Sequence, residues 1–239
     1  MGFFSFIRRL ILKILFGTAD DLVFLSFSNE DTGKNFSDHL DSALTYAGLS
    51  TFRNDDGIRR GENTGSETRK AIQESKVSVI VFSKDYASST RCLDELVMIM
   101  DARRASGHIV LPIFYHLDPS EVRSQEGRYF EAFSAHEKSF EGEMGRVDEW
   151  RAALRKAADV AGMVLQDRYE SEFIESIVRE IADKLNLSLP HVPFSSLPLS
   201  SALCPPSYFF GLLREWRRSF FPPSSLLLFF LTSQFFGIQ

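Results

Sequence analysis

The sequence predicts a doubly wound α/β fold of flavodoxin-like type, a five-stranded parallel sheet with flanking helices, and three observations carry that prediction. Short apolar runs rich in β-branched and aromatic residues recur between Asp21 and Asn186. Amphipathic segments alternate with them, and the polar motifs gather in the loops that follow the runs. A strand-helix-strand rhythm joins parallel strands by right-handed crossovers, and such sheets take ligands in the crevice outside the strands' carboxyl ends.

Three runs have the length and composition of strands buried on both faces: Leu22-Val-Phe-Leu-Ser-Phe27, Val77-Ser-Val-Ile-Val-Phe82 and Ile109-Val-Leu-Pro-Ile-Phe-Tyr115. Leu49-Ser-Thr-Phe-Arg53 is a weaker fourth, and Met163-Val-Leu165 a short fifth. Helical patterns fill the intervals. Phe36, Leu40, Ala43 and Leu44 precede Gly48, and further helices span Ser66 to Ser75, Cys92 to Arg104 and Val147 to Ala161. Phe173, Ile174, Ile177, Ile181 and Leu185 form the stripe of a closing helix. Three loops at the strand ends, Ser28 to Gly33, Asn54 to Gly65 and Ser83 to Arg91, carry most of the polar motifs.

Composition narrows the function classes. The chain has 239 residues, 44% hydrophobic and 25% charged, enough for one sizeable core. A formal net charge of −5 gives no basic field for nucleic acid. Cys92 and Cys204 are too far apart in sequence to give metal-ligand spacing, so no metal site is expected and the core reads as cytosolic and reduced. No GxGxxG or GxxxxGK[ST] appears, which leaves a Rossmann or P-loop nucleotide site unsupported. His39, His108, His116, His136 and His191 are scattered, each reading as a surface or partly buried histidine.

The ends differ from the middle and set the expected boundaries: an extension over 1–19, a folded domain over 20–186 and a tail over 187–239. In the extension Phe3, Ile7, Leu10, Ile11 and Ile14 share one helical face and Arg8, Arg9 and Lys13 the other, a basic amphipathic segment able to lie in a membrane interface. Lys13 interrupts the apolar run a secretory signal would need. The tail holds seven of the nine prolines. Its uncharged stretch Ser219 to Ile238 has the placement of a tail anchor, but Pro222, Pro223 and the serines favour an unstructured segment.

Two patterns raise a question of chemistry. In the helix from Cys92, Leu93, Leu96, Val97 and Met100 make one apolar stripe, which places Glu95 on roughly the opposite, solvated face. The loop Gly57-Ile-Arg-Arg-Gly-Glu62 puts two glycines around a basic pair and suits anion contact, partner docking or a plain solvated turn.

Six segments in order settle a family likeness. Asp21-Leu-Val-Phe-Leu-Ser-Phe27 with Glu30-Asp-Thr32, Arg60-Gly-Glu62, Lys70-Ala-Ile72, Val81 to Ser89, Cys92-Leu-Asp-Glu-Leu96, and Pro112 to Tyr115 with Asp118 to Arg123 together resemble the Toll/interleukin receptor (TIR) domain of plant immune receptors, over about residues 20–186. The resemblance implies NAD as a substrate, with no separate cofactor. It implies Glu95 as the catalytic carboxylate of an NAD hydrolase, standing in the Cys-Leu-x-Glu-Leu motif. It further implies substrate contacts at Ser28, Asn29, Gly33, Arg59, Arg60, Gly61, Ser88, Ser89 and Arg91. The expected partners are the chain itself and other TIR domains, met through Asp38 and His39 on the first helix and through Gly57, Ile58 and Glu62.

The chain departs from the family pattern around that pocket. Ser28-Asn29 replaces the usual Arg-Gly, Gly33 stands where an arginine is expected, and Arg91 replaces a tryptophan. Lost arginines remove charge-assisted hydrogen bonds to phosphate. The expected function is therefore immune signalling by NAD cleavage after self-association in the cytoplasm, with a catalytically weak adaptor or decoy that binds other TIR domains as the alternative.

Overall fold

The computed structural model describes residues 22–32, 35–53, 64–165 and 168–187. The five strands are β1 (Leu22–Phe27), β2 (Ser50–Arg53), β3 (Val77–Phe82), β4 (Ile109–Tyr115) and β5 (Met163–Leu165). They form one sheet in the order β2-β1-β3-β4-β5, every pair parallel. The helices are α1 (Phe36–Tyr46), α2 (Thr64–Glu74), α3 (Thr90–Ser106), α4 (Pro119–Ser124), α5 (Arg128–Ser139), α6 (Met144–Ala158) and α7 (Glu170–Lys184). All five strands fall where the apolar runs place them. The helix read as Val147 to Ala161 instead runs from Met144 to Ala158, with Asp159 as its C-cap. The amphipathic start and the apolar stretch of the tail lie outside the described residues, and among the described residues no helix is long and apolar enough to cross a membrane.

The order 2-1-3-4-5 sends the chain outward in both directions from β1 and β3, so α1 and α7 pack on one face of the sheet and α2 and α3, with α6 against α3, on the other. Every residue of β3 is buried, as expected of a central strand covered on both faces. The larger core lies under α3 and α6, where Phe24, Ile80, Leu96, Ile99, Phe114, Phe133, Trp150 and Leu154 are all at most 2% exposed. Each such side chain contributes about 1.5–3 kcal/mol by leaving water.

Two helices, α4 and α5, occupy residues 119–139, a stretch the periodicity reading leaves unassigned. α4 starts at an acidic N-cap followed by proline: Asp118 accepts from the Ser120 amide at 2.7 Å and from its hydroxyl at 2.6 Å, and Pro119 needs no partner for an N–H it lacks. α5 buries Tyr129, Ala132, Phe133 and His136, an i, i+3, i+4, i+7 series.

Gly162 is needed where β5 joins β4. A Cβ there would meet the Pro112 carbonyl oxygen at 2.5 Å and Phe114 Cε2 at 2.9 Å, and backbone cannot step aside as a long side chain can. The pairing of β5 covers only Ile113 to Tyr115, so Pro112 sits where β4 has an open edge and its missing N–H is tolerated. Gly162→Ala is expected to destabilise the domain by about 1–3 kcal/mol, read as a lowered urea midpoint at unchanged slope.

At the amino ends of β3 and β4 the fully buried Ser78 hydroxyl shares a 2.8 Å hydrogen bond with His108 Nε2. Burial holds the His108 pKa below its ordinary 6.5. With the folded value depressed, the unfolded chain binds the proton first as pH falls, so stability present above pH 6.5 declines below it. Urea midpoints between about pH 5 and pH 7 are expected to rise with pH in the native chain and to flatten in His108→Gln.

Candidate functional site

The site is built at the carboxyl ends of β1 and β3, the point where the strand order reverses. α3 enters it N-terminus first. Ser89 caps the helix, its hydroxyl oxygen accepting the Cys92 amide at 3.3 Å, and Gly107 closes the far end in the left-handed conformation at φ 69°. The residues α3 turns toward the sheet are Cys92, Leu93, Glu95, Leu96 and Ile99.

Glu95 is therefore not on the solvated face. Its residue is 2% exposed, and it completes the inward series Cys92, Glu95, Leu96, Ile99, while Val97 and Met100 lie at the margin. The apolar stripe is shifted by one residue from the predicted one, because a hydroxyl in the neighbouring strand gives the carboxylate a polar partner inside the core. Ser26 of β1 donates to Glu95 Oε2 at 2.7 Å. On the other side Arg91 Nη1 stands 3.5 Å from Glu95 Oε1, and Arg91 Nη2 donates to the Phe27 carbonyl at 3.4 Å. A cation in the first turn opposes the helix dipole, and Arg-before-Glu is the weaker order for an i, i+4 pair. The pair is thus held by Glu95's burial rather than by helix preference.

Ser26 also lies 3.0 Å from the Tyr86 hydroxyl, which donates to the Cys92 carbonyl at 3.1 Å. Burial, followed by the fields of Cys92 and Glu95, pushes the Tyr86 phenol well above its usual pKa, so it stays a protonated donor. The Cys92 thiol is buried and contacts the Phe27 carbonyl at 3.3 Å.

The loops that wall the crevice are tied together. Asp31, in the loop after β1, accepts from Ser83 Oγ at 2.8 Å and from the Asp85 amide at 3.1 Å, both in the loop after β3. From behind, α5 holds the same loop. The Tyr129 hydroxyl donates to the Ser83 carbonyl at 2.9 Å, and His136 Nε2 donates to the Ala87 carbonyl at 2.8 Å, which fixes the tautomer with the proton on Nε2.

Of the sequence-derived substrate positions, Arg91 stands against Glu95, Ser89 caps the same helix, and Ser28 follows directly on β1. Ser28 is buried, its carbonyl accepting from Thr32 Oγ1 at 2.9 Å. Asn29 is partly exposed beside it, and Ser88 is exposed in the short 3-10 turn over Tyr86 to Ser88. Gly33, Arg59, Arg60 and Gly61, together with Gly57, Ile58 and Glu62, lie outside the described residues. Asp38 and His39 sit on α1, in the opposite helical layer; Asp38 accepts from Arg53 Nη1 at 2.5 Å and His39 is exposed. Sequence reasoning did not single out Ser26, Asp31, Tyr86, Tyr129 or His136. Ser26 was visible as the one polar residue in the run from Leu22 to Phe27.

A second concavity, about 570 Å³, lies on the outer side of α3 against α6, lined by Arg69, Asp94, Val97, Met98, Arg146 and Trp150 among others. Asp94 there accepts two bonds from Arg146, at 2.6 and 3.3 Å, and one from Trp150 Nε1 at 2.9 Å. The bond to Asp94 raises the pKa of Arg146. With every Asp94 oxygen engaged, this is a structural clamp.

The geometry defines a parallel α/β domain with a buried carboxylate at its switch point. Residues 22–197 match the family model described as TIR domain, and the chain belongs to that family. It is 53% identical over 164 residues to disease resistance protein RPV1 of Vitis rotundifolia, covering 68% of this chain and 11% of that one. It is 40% identical over 164 residues to TMV resistance protein N of Nicotiana glutinosa, covering 68% and 14%. The chain thus spans a small part of the length of these curated relatives. Among solved structures, the TIR domains of the activated Roq1 resistosome, described as directly recognizing the pathogen effector XopQ, align with a TM-score of 0.62 at 44% identity over 67% of this chain and 99% of that one.

Proposed function

We propose that this TIR domain cleaves NAD at the nicotinamide–ribose bond after self-association and thereby signals in plant immunity from the cytoplasm. The observation that carries the reading is Glu95, a carboxylate held at the sheet's switch point with a cation beside its Oε1 atom at 3.5 Å. That is the kind of group a ribosyl cation needs.

The chemistry asks little in the way of acid catalysis. The C1′–N bond breaks with its electron pair leaving on nicotinamide, which departs neutral from a cationic ring. The ribosyl oxocarbenium ion left behind carries the positive charge, and a fixed carboxylate lowers its energy as carboxylates do in glycoside hydrolysis. Water then bonds to C1′ and releases a proton to give ADP-ribose, or a nucleophile within the molecule closes a ring. Arg91 has to leave Glu95 for substrate to enter. Self-association fits this scheme, since Roq1 carries a like TIR domain in an activated assembly, and the segment from Gly57 to Glu62 is the expected contributor from the neighbouring protomer. NAD enters as substrate and no metal is required.

A second reading, an adaptor that joins other TIR domains without catalysis, is favoured by one observation. Glu95 is 2% exposed beneath Arg91, at the position where the family pattern has an aromatic side chain. The two separate on NAD consumption by the full chain, tethered at high surface density with assembly verified, beside Glu95→Ala. Depletion by the native chain alone supports catalysis. No depletion by either in the assembled state sinks it and leaves the adaptor.

A further inference from the structure

We propose that Ser26 is a positioning residue for Glu95, and that Tyr86 fixes Ser26 in turn, so that two buried hydroxyls set the direction in which the carboxylate is presented. This rests on the reading of Glu95 as the reacting carboxylate.

The strand itself raises the question. β1 is otherwise apolar, and Ser26 is fully buried beside β3, paired in register with Ile80. Phe24, two residues back and hence on the same side of the sheet, belongs to the core cluster under α3. An apolar residue would pack there with less penalty, since a buried hydroxyl must find partners to replace the water it gives up. Tyr86 is likewise fully buried. Ser26 gives its one proton to Glu95 Oε2 at 2.7 Å, and the one proton of Tyr86 lies between two acceptors, Ser26 Oγ at 3.0 Å and the Cys92 carbonyl at 3.1 Å. The chain of contacts starts and ends on α3, one turn apart, and passes through β1 and the turn after β3.

The arrangement divides the labour of the two carboxylate oxygens. Oε2 is bonded to the sheet, while Oε1 faces Arg91, whose side chain is 25% exposed and forms the outer boundary. A carboxylate that is to stabilise a developing cation must already point at it, because reorientation during the reaction would consume the stabilisation. Ser26 removes that freedom. Its donation ties Oε2 to β1, and Oε1 lies on the Arg91 side. Tyr86, kept protonated by its burial, shares its proton between Ser26 Oγ and the Cys92 carbonyl, and Ser26's own proton is left for Glu95.

The test uses the full chain in native form and as Ser26→Ala, Ser26→Thr and Tyr86→Phe. NAD turnover is read alongside the ¹³C signal of the Glu95 carboxyl, assigned by its loss in Glu95→Gln. Ser26→Ala is expected to lower kcat about tenfold to a hundredfold with KM changed less than about twofold. Tyr86→Phe should give a smaller loss in the same sense, and Ser26→Thr, which keeps the hydroxyl, should restore most of kcat. The carboxyl signal should move in Ser26→Ala and return in Ser26→Thr. Native turnover by Ser26→Ala, or a carboxyl signal indifferent to it, overturns the proposal. If the native chain consumes no NAD, the reading of the reaction fails, and the carboxyl signal alone decides whether Ser26 positions Glu95. Should Ser26→Ala not fold, the same two readouts on Tyr86→Phe decide the matter: unchanged turnover and an unmoved carboxyl signal overturn the proposal.

Discussion

Glu95→Gln is expected to lower NAD turnover about 10²- to 10³-fold while the domain stays folded. The amide keeps the size of the side chain, and its oxygen can still accept from Ser26, which donates at 2.7 Å. The charge alone is lost. Because positive charge at C1′ develops only in the transition state, the deficit falls on kcat with KM nearly unchanged. A melting midpoint close to native, together with NAD depletion measured on the assembled protein, separates the chemical loss from unfolding. Undiminished turnover by Glu95→Gln would remove Glu95 from the reaction.

Trp150→Ala is expected to cost about 3–5 kcal/mol, and so to lower the melting midpoint by roughly 10 °C in a domain of this size. Trp150 is fully buried in the larger core, edge-on to His136 and Phe140. It also donates to Asp94 at 2.9 Å and lies under the Arg146 guanidinium at 5.0 Å. Truncation opens a cavity, leaves Asp94 one donor short and strips Arg146 of an aromatic face. Trp150→Phe keeps an aromatic ring but loses the N–H and part of the indole's volume, for a smaller cost of about 1–3 kcal/mol. Equal losses in the two variants, by chemical denaturation, would mean that packing contributes little and the hydrogen bond nearly everything.

The strands were legible because a parallel sheet covered on both faces leaves short, nearly continuous apolar runs, and Val77 to Phe82 is such a run from end to end. α5 was not legible. Its inward series Tyr129, Ala132, Phe133, His136 has the helical period, but it ends in a histidine, which counts as polar in any apolar pattern. The candidate site failed in the same way. Glu95 was found by motif, yet its side was misjudged, since periodicity assigns a carboxylate to solvent unless its partner is known. That partner, Ser26, lies 69 residues earlier in the chain. A single-sequence pattern has no means of pairing the two before β1 is seen to run beside α3.

Asp31 gives the crevice a mechanical character. One carboxylate receives both the Ser83 hydroxyl and the Asp85 amide, so neither the loop after β1 nor the loop after β3 can lift without stranding a charged acceptor. The two walls therefore open together or not at all. In hydrogen exchange they are expected to behave as one cooperative unit, with the Asp85 amide reporting on the motion of a segment more than fifty residues upstream.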